Sequence, residues 1–430
     1  MNDYGNAAAG NPAGPPALPA DYGMPMVPIP AAERIISLDV LRGFALLGIL
    51  ISNMLYFSQP VELNGLRNGA WLTPVDWVVD WISVFLVEGK FYPLFALLFG
   101  LGFSIQLDRA SSRGQNLSAT YSRRLAILMG FGLLHGIFIW EGDILLAYAI
   151  SGFALLLFRN CKTLTISVWA VALILLPALA ILAGGVGILL LSQNPDIARS
   201  MREEMADNPH EKLERIKAFV TGNYLDAISY RLSELLLHVL ATMVFAPVFL
   251  GLFLLGLLAG RKRFLTDVAK NKRFLVRVMI VGGLLGLVGN FLGAWMIMAG
   301  SAQMDFGSFF VGTGIISIFG IGLTAAYVAG LVLLIHRRPK LASLPPLAAV
   351  GQMALTNYLL QSLIATTIFY GYGLGLGGEI GRLATIGIGL LIFAAQVLLC
   401  MVWLKYFRSG PMEWLWRSIT YNTRQPMRRV

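Results

Sequence analysis

His135 stands six residues before Glu141 and eight before Asp143, in the stretch Leu-Leu-His-Gly-Ile-Phe-Ile-Trp-Glu-Gly-Asp-Ile-Leu. An imidazole beside carboxylates can act as a general base whose orientation the acid fixes. The same residues also suit a structural arrangement, with His135 bonding a neighbouring helix and Asp143 capping the next one. Asn357 and Gln361 are four residues apart, so on a helix they share one face. They suit either the lining of a polar cavity or hydrogen bonds between helices, the latter worth about 0.6–2 kcal/mol. Asp39 and Arg42, three apart, can pair on a helix surface. Arg42 could instead act with Arg123 and Arg124 to hold the phosphates of a cytoplasmic donor. Asn53 follows Asp39 on the same apolar run, roughly 20 Å further along at helical rise. That run therefore carries polar groups near both faces of a bilayer. Glu88 and Lys90 flank Gly89 and read as an ion pair, with Glu88 also a candidate for contact with a substrate.

The chain contains no Walker sequence, no His-Glu-x-x-His and no Gly-x-Ser-x-Gly. Cys161 and Cys400 fall in different segments without metal-ligand spacing, and they read as inert packing residues. No metal is expected.

The elements that position these residues are membrane helices. The apolar fraction is 57% and the charged fraction 13%, against about 25% charge in a soluble protein. Mean hydropathy is +0.71. Apolar runs of spanning length fall near 36–57, 91–107, 125–140, 143–160, 165–191, 233–259, 275–299, 310–335, 347–370 and 383–405. The expected fold is an all-α polytopic membrane protein with ten spans and both termini inside. Segment 74–88 alternates Trp77, Trp81 and Phe85 with Asp76, Asp80 and Glu88, and reads as an outer interfacial amphipathic helix. With the N-terminus inside, 24 of the 33 Lys and Arg face the cytoplasm, as the positive-inside rule requires. These basic loops account for the net charge of +10 by contact with anionic lipid. The lipid bilayer is thus the expected partner, and nucleic acid is not; the sequence leaves open a homodimer.

The expected organisation begins with an Ala/Pro/Gly-rich disordered tail over 1–33, without the features of a secretory signal. Two helical halves follow, 34–191 and 233–418, separated by an extracytoplasmic polar loop at 192–232 with one or two short helices. A basic cytoplasmic tail occupies 419–430.

Four motifs, in order, carry a resemblance. They are Arg34-Ile-Ile-Ser-Leu-Asp-Val-Leu-Arg-Gly with Asn53, and Leu-His135-Gly through Trp140-Glu-Gly-Asp143-Ile-Leu. The others are Gly351-Gln-Met-Ala-Leu-Thr-Asn357-Tyr-Leu-Leu-Gln361-Ser and Phe407-Arg-Ser-Gly-Pro-Met-Glu413-Trp-Leu-Trp-Arg417. Together they resemble the YeiB-type family of bacterial inner-membrane proteins, a domain of unknown function. The first motif is also similar to the start of heparan-α-glucosaminide N-acetyltransferase and related transmembrane acyltransferases. That resemblance implies a donor mouth for acyl-CoA near Asp39 and Arg42, and an acceptor mouth at the outer face near Asn53. Those enzymes carry a catalytic histidine shortly after the asparagine that matches Asn53. Here the stretch from Met54 to Pro74 has no histidine. Either His135 supplies the base, or that mechanism does not operate.

The resulting expectation is a membrane acyltransferase. It would move an acyl group from acyl-CoA or acetyl-CoA to a hydroxyl or amine on an envelope glycan, lipid or small molecule. His135 would be the base, with Asp143 or Glu141 orienting it. Asn53 and Asn357, with Gln361, Asp39 and Glu88 nearby, would contact the acceptor or the oxyanion. Arg42, Arg123 and Arg124 would hold the donor phosphates. The alternative is a transporter of a small solute; a scaffold without catalysis is a third reading.

Overall fold

The computed structural model describes residues 35–58, 73–112, 117–205, 214–303, 305–338 and 345–429. The tail expected at 1–33 lies outside them, as does most of the loop before Pro74. The described chain is helical throughout, with a single isolated β-bridge between Phe407 and Arg428. The helices are α1 (Ile36–Ser58), α2 (Pro74–Leu86), α3 (Phe91–Ser112), α4 (Leu117–Phe138), α5 (Leu145–Leu155), α6 (Thr163–Leu191), α7 (Pro195–Met205) and α8 (Tyr224–Ser233). They continue as α9 (Leu235–Arg261), α10 (Val268–Arg277), α11 (Gly283–Gln303), α12 (Phe306–Arg337), α13 (Pro345–Gln352), α14 (Ala354–Phe369), α15 (Arg382–Tyr406) and α16 (Pro411–Thr420).

Among the described residues, seven helical stretches are long and apolar enough to cross a membrane. The other three expected spans fall on shorter or less apolar helices. Span 143–160 meets α5, and span 125–140 meets α4, whose first turns carry Arg123 and Arg124. Span 347–370 is broken at Met353 into α13 and α14. Broken helices at membrane depth are tolerated where other groups satisfy the freed backbone. Here Glu413 does so. Its carboxylate accepts from the Leu355 and Thr356 amides at 2.6 and 3.1 Å and from the Thr356 hydroxyl at 2.6 Å. An anion thus sits on the N-terminus of α14, where the helix dipole favours it. The segment after α6 contains α7 and α8, which lie on either side of residues 206–213, outside the described residues.

The amphipathic helix α2 is turned the other way from an ordinary interfacial helix. Its carboxylates point inward: Asp76 and Asp80 are buried, while Val75, Val78 and Ile82 are exposed. The reason is Arg382 at the start of α15. Its amide donates to Asp76 at 2.6 Å, its Nε lies 3.4 Å from Asp80, and its Nη1 donates to the Leu55 carbonyl at 3.1 Å. One buried guanidinium therefore joins the ends of α1, α2 and α15. The apolar face of α2 packs Trp81 and Phe85 on Phe291 of α11 at 5.3 and 6.0 Å.

At the opposite end, α1 and α13 touch backbone to backbone. A Cβ on Gly43 would run into the Leu347 carbonyl, and one on Gly351 into the Asp39 carbonyl. Small residues allow such close crossings in membranes. This contact brings the first and third motifs together, and Glu413 adds the fourth.

Candidate functional site

A cavity of about 270 Å³ opens where these motifs meet. Its wall on α1 runs from Leu38 to Ile49, about 17 Å at helical rise. One end is charged, with Asp39, Arg42, Arg124, Glu413 and Arg417. The middle is apolar, with Leu46, Phe95, Phe99 and Leu128. The far end is closed by Ile144, Tyr148 and Tyr358.

The charged end holds more cation than anion. Arg42 pairs with Asp39 at 2.6 Å. Arg124 lies over the Trp416 ring at 4.0 Å, and its Nε is buried without a hydrogen-bond partner. Burial lowers the pKa of Arg417, as does the neighbouring Arg124 charge; a guanidinium remains protonated all the same. Burial pushes the Glu413 carboxyl above the usual carboxylate range, against the opposing pull of its Thr356 and Leu355 hydrogen bonds. Those bonds already use the carboxylate, so Glu413 serves the break between α13 and α14. The mouth is suited to an anion. Arg123 is not on this wall. It is exposed and donates to the Thr420 carbonyl at 3.2 Å, holding α16 against α4. Arg417 was missed in the sequence. Its signal was the spacing of four from Glu413, which puts both on one face of α16.

Behind the closed end stand His135 and Asp143. The imidazole Nδ1 is 2.9 Å from Asp143 Oδ1, and Oδ2 accepts the Leu146 amide at 2.7 Å. His135 is 1% exposed. In the neutral tautomer whose Nδ1–H donates to the carboxylate, Nε2 would carry the lone pair; Nε2 has no hydrogen-bond partner. An orphaned basic nitrogen in a buried site needs an explanation. His135 itself is not on the cavity wall; its ring lies against Tyr358, centroids 5.1 Å apart, and Tyr358 is. The Tyr358 oxygen accepts the Ile144 amide at 3.3 Å.

Of the two acids offered by the sequence, Asp143 faces His135 and Glu141 faces away. Glu141 accepts from Arg231 Nε at 3.0 Å and from the Tyr370 hydroxyl at 3.1 Å. With Trp140 against Phe57 at 4.2 Å and Tyr224 donating to the Phe138 carbonyl at 2.7 Å, this covers the dyad from the side opposite the mouth.

The amides expected to meet an acceptor are engaged elsewhere. Asn357 donates to the Val350 carbonyl and to Cys400 Sγ, both at 3.1 Å. Gln361 donates to Gln396 at 2.9 Å, and Gln396 donates to the Asn357 carbonyl at 3.1 Å. These bonds tie α14 to α15, and neither Asn357 nor Gln361 lines the cavity. Asn53, half-buried near the far end of α1, does not line it either. Glu88 lies in the turn between α2 and α3, away from the cavity. No group of three metal-binding side chains occurs among the described residues.

Fold and site define a helical membrane protein with a cavity that is cationic at one end and closed at the other by Ile144, Tyr148 and Tyr358, with a buried His–Asp pair behind them. The chain belongs to the YeiB-type family, described as "Protein of unknown function (DUF418)", whose pattern matches residues 259–423. Uncharacterized protein YxaH of Bacillus subtilis (strain 168) is 33% identical over 411 residues, covering 92% of this chain and 96% of its own length. An uncharacterized 39.9 kDa protein from the amylase 3' region of Bacillus acidopullulyticus is 30% identical over 426 residues, 94% of this chain and 98% of its own. Uncharacterized protein YeiB of Escherichia coli (strain K12) is 31% identical over 412 residues, 92% of this chain and 98% of its own. No solved structure matches.

Proposed function

We propose that the protein transfers an acyl group from cytoplasmic acyl-CoA to a hydroxyl or amine acceptor at the outer face of the bacterial inner membrane. In this reading it has ten spans with both termini inside. The observation that carries it is the buried His135–Asp143 pair, with an unpartnered Nε2 behind the closed end of a cavity whose other end is cationic. Arg42, Arg124 and Arg417 hold the donor phosphates at the mouth. The apolar middle takes the extended arm that ends in the thioester. His135 Nε2 removes the proton from the acceptor hydroxyl or amine as that atom bonds to the thioester carbon. Asp143 stabilises the imidazolium that forms. The carbon–sulfur bond then breaks, and His135 returns the proton to the leaving thiolate. The acylated acceptor and free CoA are the products.

The test is calorimetric binding of acetyl-CoA to purified detergent-solubilised protein, followed by release of CoA thiol. The expected result is micromolar binding, weakened tenfold or more in Arg124→Gln/Arg417→Gln, with slow turnover lost in His135→Ala. No binding to wild type, or turnover unchanged in His135→Ala, would sink the proposal.

One observation favours a second reading, transport. The span α13–α14 is interrupted at Met353, beside the cavity, and interrupted helices are the usual binding elements of secondary transporters. Solute uptake into proteoliposomes without acyl-CoA would support it.

A further inference from the structure

The acyl-transfer reading assigns a base but no group to receive the negative charge that develops on the thioester oxygen. Of the two residues the sequence offers, Asn53 does not line the cavity, and Asn357 is engaged with Val350 and Cys400 and does not line it either. Tyr358, its neighbour, does. It is 5% exposed, and it forms part of the closed end of the cavity.

Its hydroxyl is placed for donation. The oxygen accepts the Ile144 amide at 3.3 Å, which occupies a lone pair and leaves the phenolic proton to be given. An ordinary phenol, with a pKa of about 10, keeps that proton at neutral pH. The ring lies 5.1 Å from the imidazole of His135. Base and donor therefore share one corner, as acyl transfer demands of the groups around a tetrahedral centre. The backbone supports the same charge. Ile144 precedes the N-terminus of α5, and the Ile144 amide bonds the phenol while the Leu146 amide bonds Asp143. The positive end of that helix dipole thus lies at the corner where the oxyanion would form.

Resting on the acyl-transfer reading above, we infer that Tyr358 is a catalytic residue whose hydroxyl donates to the thioester carbonyl oxygen as it becomes an oxyanion. The phenol keeps its proton throughout. As the acceptor atom bonds to carbon, the carbonyl π electrons move onto oxygen and the Tyr358 hydrogen bond shortens. When the tetrahedral centre collapses, those electrons re-form the carbonyl and expel the CoA thiolate. No other reactant is required. The Ile144 bond fixes the phenol before substrate arrives, so the donor needs no reorganisation at the moment of reaction.

The variant is Tyr358→Phe, which keeps the ring against His135 and removes only the hydroxyl. Turnover of acetyl-CoA by the full-length protein is followed as CoA thiol release. The expected result is a fall in kcat of about 10²–10³-fold, with KM within twofold and a folded protein whose melting temperature falls by no more than the lost Ile144 bond entails. A kcat within threefold of wild type, or a loss confined to KM, overturns the role. A wild type that does not turn over acetyl-CoA overturns the acyl-transfer reading itself and Tyr358 with it. A second measurement covers the case in which the variant does not fold. Carbonyl-¹³C acetyl-CoA is bound to His135→Ala, and its isotope-edited infrared stretch is read. A shift to lower frequency than in free acetyl-CoA supports donation; an unshifted band overturns it.

Discussion

Asp143→Asn separates the two things that Asp143 does. One carboxylate oxygen faces His135 Nδ1 at 2.9 Å and the other accepts the Leu146 amide at 2.7 Å. Asparagine has one oxygen and one NH₂ group for these two positions. If its oxygen keeps Leu146, the NH₂ faces His135 and forces the proton onto Nε2. The imidazole then has no lone pair where the base is needed. In serine hydrolases the equivalent change of tautomer costs about 10⁴ in kcat, or about 5.5 kcal/mol at 1.36 kcal/mol per tenfold. If the oxygen turns to His135 instead, the NH₂ opposes the Leu146 amide in a buried site. That leaves a donor unpaired at about 1–3 kcal/mol of stability. The first arrangement spares the fold and removes activity; the second spares the tautomer and lowers the melting temperature. The assay is acetyl-CoA turnover with thermal unfolding in the same detergent, beside ¹⁵N shifts of labelled histidine to read the tautomer. A variant with turnover within threefold of wild type and unchanged melting would refute the reasoning, since Asp143 would then neither orient His135 nor hold the start of α5.

Gly351→Val tests the α1–α13 crossing. Its Cβ would meet the Asp39 carbonyl, and a backbone cannot give as a side chain can, so the loss is expected at the upper end of about 1–3 kcal/mol. Gly130→Ala, where a Cβ meets nothing within 4 Å, is the control, and equal melting of the two would contradict the close approach. Arg382→Ala keeps the backbone amide that Asp76 accepts but removes the guanidinium 3.4 Å from the buried Asp80, an expected loss of about 3–5 kcal/mol. Adding Asp80→Asn should recover part of it, and a single mutant as stable as wild type would remove Arg382 from that role.

The long spans were legible because twenty apolar residues in a row leave little else for a chain to do. The short ones were less so. The break at Met353 has no local signal, because the group that makes it tolerable, Glu413, is 58 residues from Leu355. The orientation of α2 was hidden for the same reason. Alternating Trp and Asp read as a surface helix until Arg382 arrives from 306 residues away. At the candidate site, the spacing of His135 from its two acids showed that a pair was available. Which acid would be used depended on the path of a tight turn, and hydropathy says nothing about that. Asn357 and Gln361 do share a face, as their spacing of four requires, but that face meets Gln396 and Cys400 on α15. Tyr358, one residue on, turns to the cavity, and its spacing alone does not distinguish it from a packing aromatic.

The junction at Arg382 also has a consequence in time. Asp76 is made 306 residues before the partner whose amide it accepts at 2.6 Å. At a synthesis rate of about 5–20 residues per second, that is a wait of about 15–60 s. Until α15 is inserted, the buried carboxylates of α2 have no guanidinium, and Asp76 relies on its bonds to Thr73 at 2.8 and 3.3 Å. A chain that stalls before Arg382 thus leaves the junction of α1, α2 and α15 unmade, a mark by which a quality-control protease could tell an unfinished copy from a finished one.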